Sequence, residues 1–82
     1  MELIYDLAAD ATYVCIADED GRSAAVSSDS LSGSVCVDSL DGEVVGVDFL
    51  CAPNSITEPM LTLVSEHYPE AARQVREMLD RV

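Results

Sequence analysis

In the first part of the chain, short runs of β-branched and aromatic residues alternate with turns carrying glycine and aspartate. Leu3-Ile4-Tyr5 predicts a first strand and Thr12 to Ala17 a second. Asp18-Glu19-Asp20-Gly21 follows, carrying the Asp-Gly pair typical of hairpin turns. Ala24 to Asp29 reads as a weaker third strand ending at Ser32-Gly33, and Ser34 to Asp38 as a fourth. Asp41-Gly42 then turns into a fifth strand, Glu43 to Leu50. Strict alternation in that strand sets Val45, Val47 and Phe49 on one face and Val44, Gly46, Asp48 and Leu50 on the other. Turns this short join antiparallel neighbours, so the simplest expectation is a five-stranded meander.

After Pro53 the period lengthens. Thr57 can cap a helix that tolerates Pro59 in its first turn, where N–H groups have no intrahelical acceptor. Met60, Leu61 and Val64 form its apolar stripe, and Pro69 ends the helix and starts a second. Ala71, Ala72, Val75, Met78, Leu79 and Val82 recur at helical spacing, with Glu70, Arg73, Arg76, Glu77, Asp80 and Arg81 opposite them. A Glu77–Arg81 pair is expected on that outer face. The fold class expected is therefore α+β: a five-stranded antiparallel sheet followed by two short C-terminal helical segments on one face. Residues 1–82 read as one domain, with 1–52 the sheet part and 57–82 the helical part, since neither piece could bury a core alone.

Charge narrows the partners. Sixteen Asp and Glu stand against four Lys and Arg, a net charge of −12 over 82 residues. Most of it, −10, falls in residues 1–56. Such a surface is expected not to bind nucleic acid or an anionic membrane directly, since both need a basic face. At 49% apolar the chain is too hydrophobic for an acidic disordered tail. No apolar run reaches the ~18 residues of a membrane span, and Met1 to Asp6 lacks the basic start of a signal peptide, so a cytoplasmic protein is expected.

The candidate chemistry is sparse. Cys15, Cys36 and Cys51 are odd in number, contain no C-x-x-C, and lie in strand-like runs, so they are expected to be reduced core thiols. His67 lies on the helical side of the chain, away from all three, and a Cys–His nucleophile pair is not expected. Ser32-Gly33-Ser34 is no nucleophile elbow, and Asp18-Glu19-Asp20-Gly21 lacks the spacing of a calcium loop, which would need an acid at Ile16. No catalytic residue, cofactor or metal is expected. One constellation survives. In a meander the turns near residues 18–22 and 40–42 share an end of the sheet, gathering Asp18, Glu19, Asp20, Asp38, Asp41 and Glu43 into an acidic rim. That rim serves as a solubilising edge, as a docking surface for a basic partner, or as a loose divalent-cation site.

Tyr5-Asp6, Asp10, Tyr13 and Ile16 spell Y-D-x-x-x-D-x-x-Y-x-x-I, and Val35 to Asp38 and Asp41 to Leu50 follow in order. With these motifs, residues 4–50 resemble a family of short prokaryotic and phage proteins known only as domain of unknown function two-two-eight-three. The resemblance implies a small antiparallel β-domain with a helical tail and assigns no site residue. The residues themselves read as structural: aspartates accepting backbone N–H groups in the first turn, Tyr13 packing across Tyr5, and Gly46 marking a bulge or a close contact. The function expected is a non-enzymatic protein-interaction or regulatory module, antitoxin-like in binding a basic partner. The alternative is a nucleic-acid-mimic inhibitor of a DNA-binding protein. A homodimer is also expected, because the second and fifth strands are apolar on both faces while the helices can cover only one.

Overall fold

The computed structural model describes residues 2–16 and 27–81. Its elements are β1 (Glu2–Asp6), β2 (Ala11–Cys15), β3 (Ser27–Ser30), β4 (Val35–Leu40), β5 (Glu43–Phe49), a 3-10 turn (Pro53–Ser55), α1 (Glu58–His67) and α2 (Pro69–Asp80). This is the expected α+β arrangement, five antiparallel strands followed by two helices. The strand order, however, is β1-β2-β5-β4-β3. A sequential meander would pair β2 with β3; instead β2 lies against β5, with Thr12 opposite Phe49 and Val14 opposite Val47. The physical reason is in the side chains. β2 and β5 carry the apolar residues that profit from neighbours on both sides, whereas β3 is four polar residues, all exposed, and suits an edge.

Local chemistry accounts for the turns. Asp41 (φ 53°) and Gly42 (φ 84°) are the two loop residues between the closing pair Leu40 and Glu43, both left-handed as a type I′ hairpin requires. Between β1 and β2, Asp6 Oδ1 accepts from the N–H of Ala8 and Ala9, and the Tyr5 hydroxyl donates to Asp10 Oδ1 at 2.8 Å. Asp10 itself is left-handed (φ 49°). The Tyr-Asp…Asp spacing is thus a device for closing a hairpin. Tyr13 does not pack on Tyr5: Tyr5 pairs with Thr12 and Ile4 with Tyr13, which puts the two tyrosines on opposite faces.

The helices cover one face of the sheet, α1 against β4 and α2 against β5. Between the layers lie Val14, Val35, Val37, Val47, Phe49, Leu61, Val64, Ala71, Ala72, Val75 and Met78. Thr57 caps α1, its hydroxyl accepting from the Met60 N–H, and Tyr68 (φ −142°) breaks the helix before Pro69 restarts it. On the outer face Glu77 pairs with Arg73, which also holds Glu70, and Arg76 reaches Glu58 of α1; the expected Glu77–Arg81 pair gives way to these. A β-bulge corrects one more expectation. Asp38 faces Gly46 but Ser39 faces Val44, so Val45 is the extra residue. The slip brings Val44 onto the helix side, where it packs against the core, rather than onto the face of Gly46 and Asp48.

Candidate functional site

Register fixes what the other face of the sheet presents. One cross-strand row runs Ile4, Tyr13, Asp48, Cys36, Ser30, and the next runs Glu2, Cys15, Gly46, Asp38, Ser28. Among the described residues no element packs over these rows. The surface is neither wholly polar nor wholly apolar: Ile4 is 37% exposed and Leu50 55%, while Asp48 is half-buried among them. A groove of about 470 Å³ runs along this face, lined by Ile4, Ala11, Tyr13, Asp38, Asp48 and Leu50, with Asp6 and Ala9 at its end.

Tyr13 organises the floor. Its ring leans across β5 at Gly46, so closely that a Cβ on Gly46 would lie 1.9 Å from the hydroxyl and 2.2 Å from Cζ. Glycine stands at this mid-strand position because the ring occupies the space of its side chain. The Tyr13 hydroxyl donates to Asp38 Oδ2 at 3.3 Å, and the Ser28 hydroxyl donates to Asp38 Oδ1 at 2.8 Å. Asp38 is therefore held by two strands at once. Asp48, its diagonal neighbour, has no hydrogen bond or ion pair with any described residue. Burial, and secondarily the Asp38 carboxylate, push the Asp48 carboxyl above the usual carboxylate range.

This has a measurable consequence. An acid whose folded value is raised binds its proton more readily in the folded than in the unfolded state. Its contribution to stability therefore falls as pH rises from the unfolded value, about 3.9 for aspartate, through the raised folded value. Asp48→Asn should raise Tm at neutral pH, and the gap should close as both proteins are brought to about pH 4. Glu58 acts in the opposite sense, its carboxyl lowered by the hydrogen bond and charge of Arg76, but it is exposed and present in both proteins. Thermal melts across this range decide the point: a gap that persists unchanged at acid pH would show that Asp48 carries no such cost.

The expected acidic rim divides. Asp18, Glu19 and Asp20 lie outside the described residues. Asp41 and Glu43 do sit at the end of the sheet where β2 runs out. Asp38 does not: it stands inside β4 on the face opposite the helices, bound to Tyr13 and Ser28. Asp48 and Tyr13, which complete the site, were not among the sequence candidates. The available signal was an acid set between valine and phenylalanine in an otherwise apolar strand.

The thiols and the histidine are kept apart. Cys15 is buried, while Cys36 and Cys51 are half-buried, so only one of the three is fully enclosed, and it lies on the face opposite the helix-packed core. Burial raises the Cys36 and Cys51 thiols, with Asp38 and Asp10 adding to the respective shifts, which leaves both protonated and weakly nucleophilic at neutral pH. His67 ends α1 on the helix side, beside Val44 and Tyr68, across the sheet from Cys36. Cys51 sits at the opposite end of β5, where its carbonyl accepts from Thr12. Among the described residues no group of three or more His, Cys, Asp or Glu is placed to hold a metal ion, and no helix is long and apolar enough to cross a membrane. No protein-family model, curated protein or solved structure matches the chain.

Proposed function

We propose that the protein is a non-enzymatic interaction module that docks a basic protein partner on the face of its sheet opposite the helices. The observation that carries this reading is Asp48. A carboxylate with no partner among the described residues, half-buried in a central strand and next to a second carboxylate, works against folding, and departures of this kind concentrate where a surface is used. The apolar residues beside it supply contact area and the net charge of −12 supplies long-range attraction for a cationic surface. A regulator that masks a basic enzyme, as an antitoxin does, is the form of this function that suits the charge. Three cysteines outside any disulfide suit the reducing interior of a cell. Kinship of residues 4–50 with the domain-of-unknown-function family belongs to the same proposal and rests on the shared strand and turn pattern.

The other readings fare less well on this surface. A nucleic-acid mimic needs carboxylates strung out like phosphates, whereas the face offers two close together. A homodimer joined face to face would set Asp38 and Asp48 of one copy against the same pair of another, which opposes self-association at neutral pH.

The test is retention of a basic protein from an extract of the source cell on the immobilised chain. Retention should weaken as salt rises, and fall sharply for the Asp38→Asn/Asp48→Asn variant, whose fold is checked by circular dichroism. Retention indifferent to salt and to both substitutions would remove this face from the function.

A further inference from the structure

We propose that the groove on the sheet face opposite the helices receives an arginine side chain flanked by apolar residues, the guanidinium lying between Asp38 and Asp48 against the Tyr13 ring. This rests on the interaction-module reading and names what the module recognises.

The sheet places the recognition elements by register. Tyr13 faces Asp48 directly across β2 and β5, and its hydroxyl reaches Asp38 on β4, so the ring is flanked by one carboxylate on each of two adjacent strands. Both carboxylates project from the same face, since Cys36 is opposite Asp48 and Asp38 is two residues along from Cys36. Their roles differ. Asp38 is already fixed by the hydroxyls of Tyr13 and Ser28 and has a defined orientation before any partner arrives. No described side chain donates to Asp48, whose carboxylate stands beside Asp38 across β5 and β4. A cation entering here meets one preset carboxylate and a second beside it.

Chemistry selects arginine over lysine. A guanidinium is planar, offers five N–H donors in a fixed fork, and stacks on aromatic faces, matching two carboxylates beside a tyrosine ring; an ammonium ion is a more strongly hydrated point charge. It also loses less on leaving water for a groove whose remaining walls, Ile4, Ala11 and Leu50, are apolar. Those walls define the neighbours of the arginine. They are too small a patch to hold a partner alone, but they accept the leucine- or valine-sized side chains that flank it. A second copy of this chain is the poorer occupant of the same groove, because its face brings two more carboxylates and no arginine: the arginines among the described residues are on α2 and at its end, on the helix side of the molecule.

The experiment is a titration of the isotope-labelled chain, followed by amide shifts, with the peptide acetyl-Leu-Arg-Leu-amide and with its counterpart carrying citrulline for arginine. Citrulline keeps the shape and removes the charge. The arginine peptide should shift residues of β2, β4 and β5 around Tyr13, Asp38 and Asp48 saturably in the millimolar range, ~1 mM being the order set by a few charge-assisted contacts. Citrulline, or Asp48→Asn in the protein, should weaken this about tenfold or more. Glu66→Gln, on the exposed side of α1, should change nothing. Equal shifts with both peptides would overturn the arginine assignment while leaving the face a docking surface. No saturable shift on this face, while basic-protein retention is still lost in the Asp38→Asn/Asp48→Asn variant, would overturn it and spare the functional reading. Open-face shifts that grow with protein concentration in the absence of peptide would make a second copy the occupant and overturn it as well.

Discussion

Gly46→Val should destabilise the protein by about 1–3 kcal/mol, the range for forcing extra atoms into a filled site. The new Cβ would fall 1.9 Å from the Tyr13 hydroxyl and 2.2 Å from Cζ, so the ring must swing aside. In moving it gives up its hydrogen bond to Asp38 and its packing across β5. For a chain of this length the loss corresponds to a fall in Tm of roughly 4–8 °C per kcal/mol. The cause can be isolated. With Tyr13→Ala in the background the space is vacant, and valine, a better strand residue than glycine, should cost nothing or stabilise. With Tyr13→Phe the ring remains and the penalty should persist, because Cζ alone is too close. Equal penalties in all three backgrounds would place the strain in the β5 backbone instead.

The second large effect is expected at Thr12. It is fully buried, and its Oγ1 donates to the carbonyl of Cys51 at 2.7 Å. That bond ties β2 to the point where the chain leaves the sheet for the helices. Thr12→Val keeps the shape, removes the donor and leaves the carbonyl short of a partner, a loss of about 1–3 kcal/mol. Thr12→Ser retains the donor and should lose only what a buried methyl contributes, roughly 1 kcal/mol. Denaturant melts of the two variants check the order. Serine proving worse than valine would mean that the methyl, not the hydroxyl, holds this junction.

Much of the fold is legible in the residues, and the parts that are not share a cause. Strands, the Asp41-Gly42 turn, the Thr57 cap and the Pro69 break are each dictated within a few residues, by alternation, by left-handed backbone or by a missing N–H, and within the described residues each appears close to where it is expected; the start of the third strand, residues 24–26, lies outside them. Strand order is a long-range property: nothing near Thr12 says that it will face Phe49 rather than β3. Gly46 hints at the bulge, but which residue is extra is silent in the pattern of apolar positions, because positions 44 and 45 are both valine. The site was harder to read for the same reason. Asp38 was visible as one acid among many, but its pairing with Tyr13 and its proximity to Asp48 exist only after β2, β5 and β4 lie side by side. Turn position had suggested a rim; register produced a face.

The strand order also sets how the chain must assemble in time. The β1–β2 and β4–β5 hairpins each close over a few residues and can form early and independently. Their union along the β2–β5 seam joins residues far apart in sequence, and it brings together the sheet side of the core and the floor of the groove. Until that seam closes, Tyr13 and Asp38 belong to separate hairpins. The groove therefore exists only once the seam has closed: an incompletely docked chain presents two short hairpins without it.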